Sequence, residues 1–99
     1  MTYKSRLASR EITELFEAIM TLETTEEYYR FFEDLATVGE LQSLAQRLSV
    51  AKKLVAEEKY TSIAEETGAS TATISRVKRC LNYGADGYKL VFERLKKQK

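Results

Sequence analysis

The residues whose types and spacing indicate chemistry lie in one polar stretch, YTSIAEETGASTATISRVKR, from Tyr60 to Arg79. Short hydroxyl side chains are interspersed there with small residues, and the cations Arg76 and Lys78 follow them. Hydroxyl, guanidinium and ammonium groups donate hydrogen bonds to oxygen and nitrogen acceptors, and the cations also attract anions. The pattern is typical of a surface that binds an anionic, hydrogen-bonding partner.

Few residues of this chain are of the types that carry out catalysis or bind metal ions. There is no His, and the one Cys, Cys80, has no second thiol to pair with. This excludes His-based acid-base catalysis, a disulfide framework and the usual His and Cys metal sets. No nucleophile-base pair or phosphate loop replaces them. We predict that the protein is not an enzyme, holds no metal and needs no cofactor, and that Cys80 is a small buried or half-buried residue.

The formal charge is divided unevenly along the chain. Residues 1–46 carry four basic residues against nine acidic ones, and residues 47–99 carry twelve against six, although the total is only +1. The C-terminal half therefore carries the positive field that an anionic partner would meet. No apolar segment approaches the ~20 residues of a membrane span, so we predict a cytoplasmic, nucleoid-associated protein without a membrane partner.

The elements that position the polar stretch are helical. Six helical patterns and no strand pattern predict an all-α fold in a single domain, residues 1–99. Within residues 1–58 we predict three dimerisation helices, and apolar residues three or four apart form the stripe of the first: Ile12, Leu15, Phe16, Ile19 and Met20. The second opens at Thr24, with Glu27 reaching back, and the third runs from Val38 or Gly39 to about Glu58.

The second half contains a two-helix unit and a last helix. Within residues 60–82 the pattern predicts a short helix 62–67, a turn at Gly68 and a helix 71–82 capped by Ser70. Gly84 suits a left-handed stop, and Asp86 suits the cap of a C-terminal helix, residues 86–97.

The spacing of small and apolar residues in the two-helix unit resembles the helix-turn-helix of DNA-binding proteins. Counted from Tyr60, Ala64 is fifth, Gly68 ninth, Ile74 fifteenth and Val77 eighteenth. A small residue lets the helices cross closely, glycine permits the turn, and the two aliphatic residues hold the second helix from beneath. Thr67 departs from the aliphatic residue usual before the glycine.

This motif predicts which side chains face double-stranded DNA. Small hydroxyls and an alanine let a helix enter the major groove, where arginines reach guanine edges or phosphates. The predicted DNA-binding residues are Thr61, Ser62, Ser70, Thr71, Ala72, Thr73, Ser75, Arg76, Lys78 and Arg79. A merely solvated helix face would also be polar, but it would not need the alanine, glycine and isoleucine at these spacings.

A closer resemblance covers residues 37–95. The run LAQRLSVAKKLV, the short helix and then GASTATISR resemble the Trp repressor family, in particular its YerC/YecD-type branch. The resemblance implies a six-helix fold and a homodimer with interwoven N-terminal helices that reads palindromic sites. By position it implies base contacts from Thr71, Ala72 and Ser75 and a phosphate contact from Thr73. The family's basic positions in the first helix of the motif fall near Thr61 and Ala64.

The resemblance also raises the question of an effector pocket. Two arginines sandwich the tryptophan corepressor in the family, and Arg47 and Arg76 are their counterparts here, but Val77 stands where the ligand-binding repressor has glycine. A branched side chain fills the space beside the ligand ring. We therefore predict regulation without tryptophan, and an Arg76 that faces DNA or pairs with Glu40 or Glu66.

Two functions remain open at this point. The first is a sequence-specific transcriptional regulator, a repressor that reads a palindromic site as a homodimer. The second is a helix-turn-helix module that binds a protein partner without a specific DNA target.

Overall fold

The computed structural model describes residues 3–98, and these residues contain six α-helices and no strand. The all-α prediction is confirmed. The helices are α1 (Arg10–Met20), α2 (Thr25–Leu35), α3 (Val38–Val55), α4 (Tyr60–Thr67), α5 (Thr71–Tyr83) and α6 (Gly87–Lys97). The chain forms two compact units that divide after Val38.

Hydroxyl caps begin both helices of the N-terminal unit. The Ser9 hydroxyl accepts the Ile12 N–H at 3.1 Å, and the Thr24 hydroxyl accepts the Glu27 N–H at 3.2 Å. The predicted Thr24 cap is confirmed. The Glu27 carboxylate does reach back, but it accepts the N–H of Glu23, the residue before the cap, at 2.7 Å. Each cap satisfies one of the N–H groups that a helix start leaves unpaired.

The apolar stripe of the N-terminal unit has little cover within one chain. No residue of α1 or α2 is buried. Phe16 is 56% exposed and Met20 79% exposed, while Ile12 and Ile19 are half-buried. These side chains are arranged for burial on a helix face, and in the single chain they form an exposed apolar surface.

Helix α3 ends earlier than the sequence predicts, at Val55 instead of about Glu58. Glu57 takes a left-handed conformation with φ 62° and donates its N–H to the Leu54 carbonyl at 3.0 Å. The Glu58 N–H bonds the Lys53 carbonyl, also at 3.0 Å. This pair of bonds satisfies the last carbonyls and terminates the helix in a Schellman turn, here with glutamate in the position that glycine usually takes.

The core of the C-terminal unit is small and centres on the two-helix motif. Its buried side chains are Val50, Ala51, Ile63, Ala69, Ile74 and Val77. Half-buried residues surround it, among them Tyr60 and Leu81. Burial of Ile74 and Val77 agrees with the predicted spacing, since these positions hold the second helix of a helix-turn-helix from beneath.

Three local predictions between the last turn of α5 and the start of α6 are wrong. Gly84 is not left-handed but has φ −87° and ψ −153°, and its N–H bonds the Cys80 carbonyl at 2.9 Å. A Cβ there would lie 3.1 Å from the Cys80 carbonyl carbon, so close approach is what requires glycine. Asp86 precedes α6 with φ 63°, but its carboxylate does not cap that helix and instead lies 3.6 Å from the Lys89 ammonium. Cys80 is exposed in the single chain, not buried or half-buried.

Candidate nucleic-acid interface

Helix α4 begins at Tyr60, two residues earlier than predicted, and ends where the chain turns at Gly68. No side chain caps its N-terminus. Gly68 has φ 73°, and its N–H bonds the Ala64 carbonyl at 2.9 Å. A left-handed residue at the end of a helix reverses the chain, and glycine takes this conformation without the strain that a Cβ brings. The turn therefore forms as the spacing predicts.

Thr67 has a specific role in the turn. Its hydroxyl donates to the Ile63 carbonyl at 2.6 Å and accepts the Ala69 N–H at 3.1 Å. Gln46 of α3 donates from its side-chain amide to the Thr67 carbonyl at 3.0 Å. These bonds satisfy polar backbone groups that the turn leaves outside the helix ladder. The departure from an aliphatic residue at position 67 thus exchanges apolar packing for a hydrogen-bonded turn anchored on α3.

Helix α5 begins with the cap that the sequence predicts. The Ser70 hydroxyl accepts the Thr73 N–H at 3.1 Å and donates to the Thr73 hydroxyl, also at 3.1 Å. Both hydroxyls are therefore engaged in starting the helix, and they remain near the surface, since Ser70 is exposed and Thr73 half-buried.

The two faces of α5 differ sharply. Ile74 and Val77 are 0% and 3% exposed, and they fasten the helix to the core. The predicted DNA-binding residues Thr61, Ser62, Ser70, Thr71, Ala72, Ser75, Arg76, Lys78 and Arg79 are all exposed. At about 100° per residue, Ala72, Ser75 and Arg79 share the side of α5 away from the core. The result is a helix with a fixed inner face and an open outer face of small, polar and basic side chains.

A charged cluster fastens the end of α3 to α4. The Lys53 ammonium lies 3.1 Å from a Glu66 carboxylate oxygen and 3.9 Å from a Glu58 oxygen. The Glu66 pKa lies below its ordinary value because its carboxylate accepts hydrogen bonds from Lys53 and Glu58. The Glu58 pKa is raised, first by the hydrogen bond to Glu66 and then by desolvation, against the opposing charge of Lys53. Glu66, one of the two acids considered as partners for Arg76, is thus paired with Lys53.

A second contact joins α4 to α5 at the surface. The Lys78 ammonium lies 5.6 Å from the centre of the Tyr60 ring, within the range of a cation–π interaction. Tyr60 is half-buried and packs against the core, whereas Lys78 is exposed. One of the predicted DNA-binding cations therefore contacts the first residue of the motif.

The residues considered for an effector pocket lie in different environments. Val77 is a core residue, buried beside Val50 and Ile74. Arg47 is exposed and donates to the Ser43 hydroxyl at 3.5 Å, and Arg76 is exposed on α5. The position that glycine keeps open in the ligand-binding repressor is occupied here by a packed side chain.

Three positioning residues were missed by sequence reasoning. Gln46 and Lys53 lie in a predicted helix and Tyr60 lies between two predicted helices, and the partners of all three are distant in sequence. The hydrogen bonds of Thr67 were a further feature that sequence reasoning missed, although here the residue type gave a signal, because a threonine near a helix end often bonds the carbonyl four residues earlier.

Residues 3–98 meet the requirements of neither a metal site nor a membrane-spanning helix. This part of the chain contains no group of three or more His, Cys, Asp or Glu side chains placed to hold a metal ion. Within the same residues, no helix has the length and apolar character needed to cross a membrane.

Comparison with known proteins gives one consistent result. The family model described as Trp repressor protein matches residues 10–96. Uncharacterized protein YerC of Bacillus subtilis (strain 168) is 56% identical over 91 residues, which cover 92% of this chain and 88% of that protein.

Two solved structures have the same fold. The crystal structure of a candidate Trp repressor from Staphylococcus aureus matches with a TM-score of 0.87 and 53% identity, over 92% of this chain and 91% of the other. A TrpR-like protein from Eubacterium eligens ATCC 27750 also has a TM-score of 0.87, with 56% identity over 91% of this chain and 93% of its own. With its helix-turn-helix and six-helix architecture, the chain belongs to the Trp repressor family of DNA-binding regulators.

Proposed function

We propose that the protein is a sequence-specific transcriptional repressor of the cytoplasm and nucleoid, which binds a palindromic DNA site as a homodimer and does not need tryptophan. The observation that carries the proposal is the division of α5 into a buried inner face and an exposed outer face. Ile74 and Val77 hold the helix, while Ala72, Ser75 and Arg79 are presented to solvent.

The outer face fits the major groove. The groove is about 12 Å wide and admits one α-helix, provided that the side chains facing the bases are short or flexible. Thr71, Ala72 and Ser75 supply short side chains, and Arg76 and Arg79 supply donors that reach guanine edges or phosphates.

Phosphate contacts come from the residues around the groove-facing helix. Thr61 and Ser62 are exposed in the first turn of α4, whose N-terminus carries no side-chain cap. Backbone N–H groups at a helix start attract anions, so a DNA phosphate would complete this end of the helix. Thr73 and Lys78 extend the same phosphate-binding rim.

The homodimer is supported by the apolar side chains that one chain leaves in solvent. Phe16 and Met20 of α1 and Leu35 of α2 are half or more exposed. A second copy, interwoven through these helices, would bury them, and its two-fold axis would present two α5 helices about one DNA turn, roughly 34 Å, apart. A palindromic site follows from that symmetry.

Independence from tryptophan is supported by Val77. Its side chain is 3% exposed and belongs to the core, so space beside Arg76 for an indole ring would have to come from rearranged packing. Close-packed interiors resist such rearrangement.

Selection from a random duplex library at near-physiological salt, with and without tryptophan, tests the proposal. We expect a palindromic consensus that is the same in both arms. Recovery of only salt-sensitive background would refute sequence-specific binding and favour a protein-interaction module. A consensus that appears only with tryptophan would refute the effector-free repressor.

Substitution on the selected site locates the interface. Arg79→Ala and Arg76→Ala are each expected to weaken specific binding by about 1–3 kcal/mol per half-site if the guanidinium groups read bases. Arg30→Ala is the control, because it removes the same charge outside the helix-turn-helix. Equal losses for the control and the two variants would contradict the assignment.

The dimer has its own test. Sedimentation at micromolar concentration is expected to give twice the chain mass, and Phe16→Asp is expected to give a monomer. Thr13→Asp, at an exposed polar position of the same helix, is the matched control and should leave the dimer intact. A wild-type monomer would remove the basis for a palindromic site.

A further inference from the structure

The cation–π contact between α4 and α5 carries an inference about how DNA binding is organised, and it rests on the proposed function. The Lys78 ammonium lies 5.6 Å from the ring centre of Tyr60. Tyr60 is itself fixed, because its half-buried ring packs against the core cluster. A flexible lysine side chain is thus held against a rigid aromatic surface at the junction of the two helices.

The position of Lys78 on α5 indicates what its ammonium meets. Lys78 lies four residues after Ile74, one helical turn further, and so stands at the edge of the polar face next to α4. The side chains that point away from the core, such as Ala72 and Arg79, lie further round the helix. An ammonium at the edge of a helix that occupies the groove lies nearest to the DNA backbone, and lysine binds phosphate as a point charge.

The ring leaves the ammonium able to bind an anion. An ammonium group has three donors, and contact with one aromatic face does not engage all of them. Holding the side chain before DNA arrives reduces the conformational entropy lost on binding, which raises affinity without adding a contact.

We propose that Tyr60 is a positioning residue for DNA binding, which holds the Lys78 ammonium in place to contact one backbone phosphate. Tyr60 acts through Lys78 and needs no contact with DNA itself. The proposal adds a residue outside the predicted DNA-binding set and explains how the phosphate contact proposed for Lys78 is organised.

A double-mutant cycle measured at several salt concentrations tests the proposal, with the selected duplex as the probe. Lys78→Ala is expected to weaken binding and to reduce the slope of log K against log salt by about 1.8, because each of the two protomers loses one phosphate contact worth about 0.9. Tyr60→Leu is expected to weaken binding about 2- to 5-fold per half-site, the factor that corresponds to a surface cation–π contact, and so about 4- to 25-fold for the dimer, with the salt slope unchanged because the charge remains. In the Lys78→Ala background the same change should have no effect.

Tyr60→Phe is the conservative control, since it keeps the ring and should bind DNA as the wild type does. All variants are compared at a temperature where circular dichroism shows them folded, so that a loss of binding by Tyr60→Leu is not a loss of folding. An equal loss from Tyr60→Leu with and without Lys78 would overturn the proposal, as would a salt slope that Lys78→Ala leaves unchanged.

The two proposals fail differently. If the wild type binds no duplex specifically, the proposed function and this inference are both refuted. If the wild type binds and Arg79→Ala weakens it, but Tyr60→Leu has no effect, only the positioning role is refuted.

Discussion

Val77 offers the most direct test of the reasoning, because one side chain is assigned both to the core and to the closing of an effector pocket. It is 3% exposed and lies in the middle of α5, packed in the same cluster as Val50 and Ile74. Shortening it should therefore lower the free energy of unfolding, and the wild type should not bind tryptophan.

The magnitude follows from the groups removed. Val77→Ala deletes two buried methyl groups, about 0.8 kcal/mol each in transfer free energy, and a cavity term raises the total to roughly 2–3 kcal/mol. Val77→Gly removes the Cβ as well and adds about 1 kcal/mol for glycine inside a helix, so roughly 3–5 kcal/mol is expected. Against a typical domain stability of about 5–15 kcal/mol, the second change removes a large part of the total and, for a protein at the lower end of that range, nearly all of it.

Urea denaturation followed by circular dichroism measures these losses, with all variants at one protomer concentration because dimer stability depends on it. Ser75→Ala, at an exposed position of the same helix, is the control and should change stability by no more than about 0.5 kcal/mol. Calorimetric titration of the wild type with tryptophan should show no saturable heat at sub-millimolar concentration. A loss below about 0.5 kcal/mol for Val77→Ala would refute the core role, and saturable tryptophan binding would refute the closed pocket.

Three further predictions concern the segments that hold the motif. Glu66→Gln is expected to lower the melting temperature at pH 7 by removing the ion pair with Lys53. Because the Glu66 pKa is depressed in the folded protein, the ion pair stabilises the fold above the ordinary glutamate pKa, and this stabilisation is lost as pH falls through the folded pKa. The difference in melting temperature from the wild type, followed from pH 7 to pH 3, should therefore shrink in acid. Gly68→Ala should cost about 1–2 kcal/mol in urea denaturation, since alanine at φ 73° is strained, and a neutral result would contradict the left-handed turn. Glu57→Gly, at φ 62°, should gain up to about 1 kcal/mol in the same assay for the converse reason, whereas a loss would show that the Glu57 side chain contributes more than its backbone strain costs.

The caps and the buried positions of the motif could be read from sequence because they depend on neighbours within a few residues. Ser70 and Thr24 cap their helices as predicted, and Ile74 and Val77 are buried at the predicted spacing. These features follow from hydroxyl reach and helical periodicity, which any stretch of chain carries within itself.

The C-terminal ends of the helices were predicted less well, because more than one backbone geometry can terminate a helix. Glutamate at position 57 takes the left-handed place that glycine usually holds, while Gly84 is extended and is required by the nearby Cys80 carbonyl. Neither outcome can be predicted from residue type alone, since a left-handed position favours glycine but does not require it.

By itself, the sequence determined an all-α chain, the division of charge, and a helix-turn-helix with its buried anchors. These are properties of local pattern and composition. Only the tertiary structure decided that Gln46 fastens the turn, that Lys53 pairs with Glu66, and that Tyr60 holds Lys78. Such contacts join side chains that are adjacent only after the helices have packed, so their existence depends on the angle and distance between helices, which periodicity does not specify.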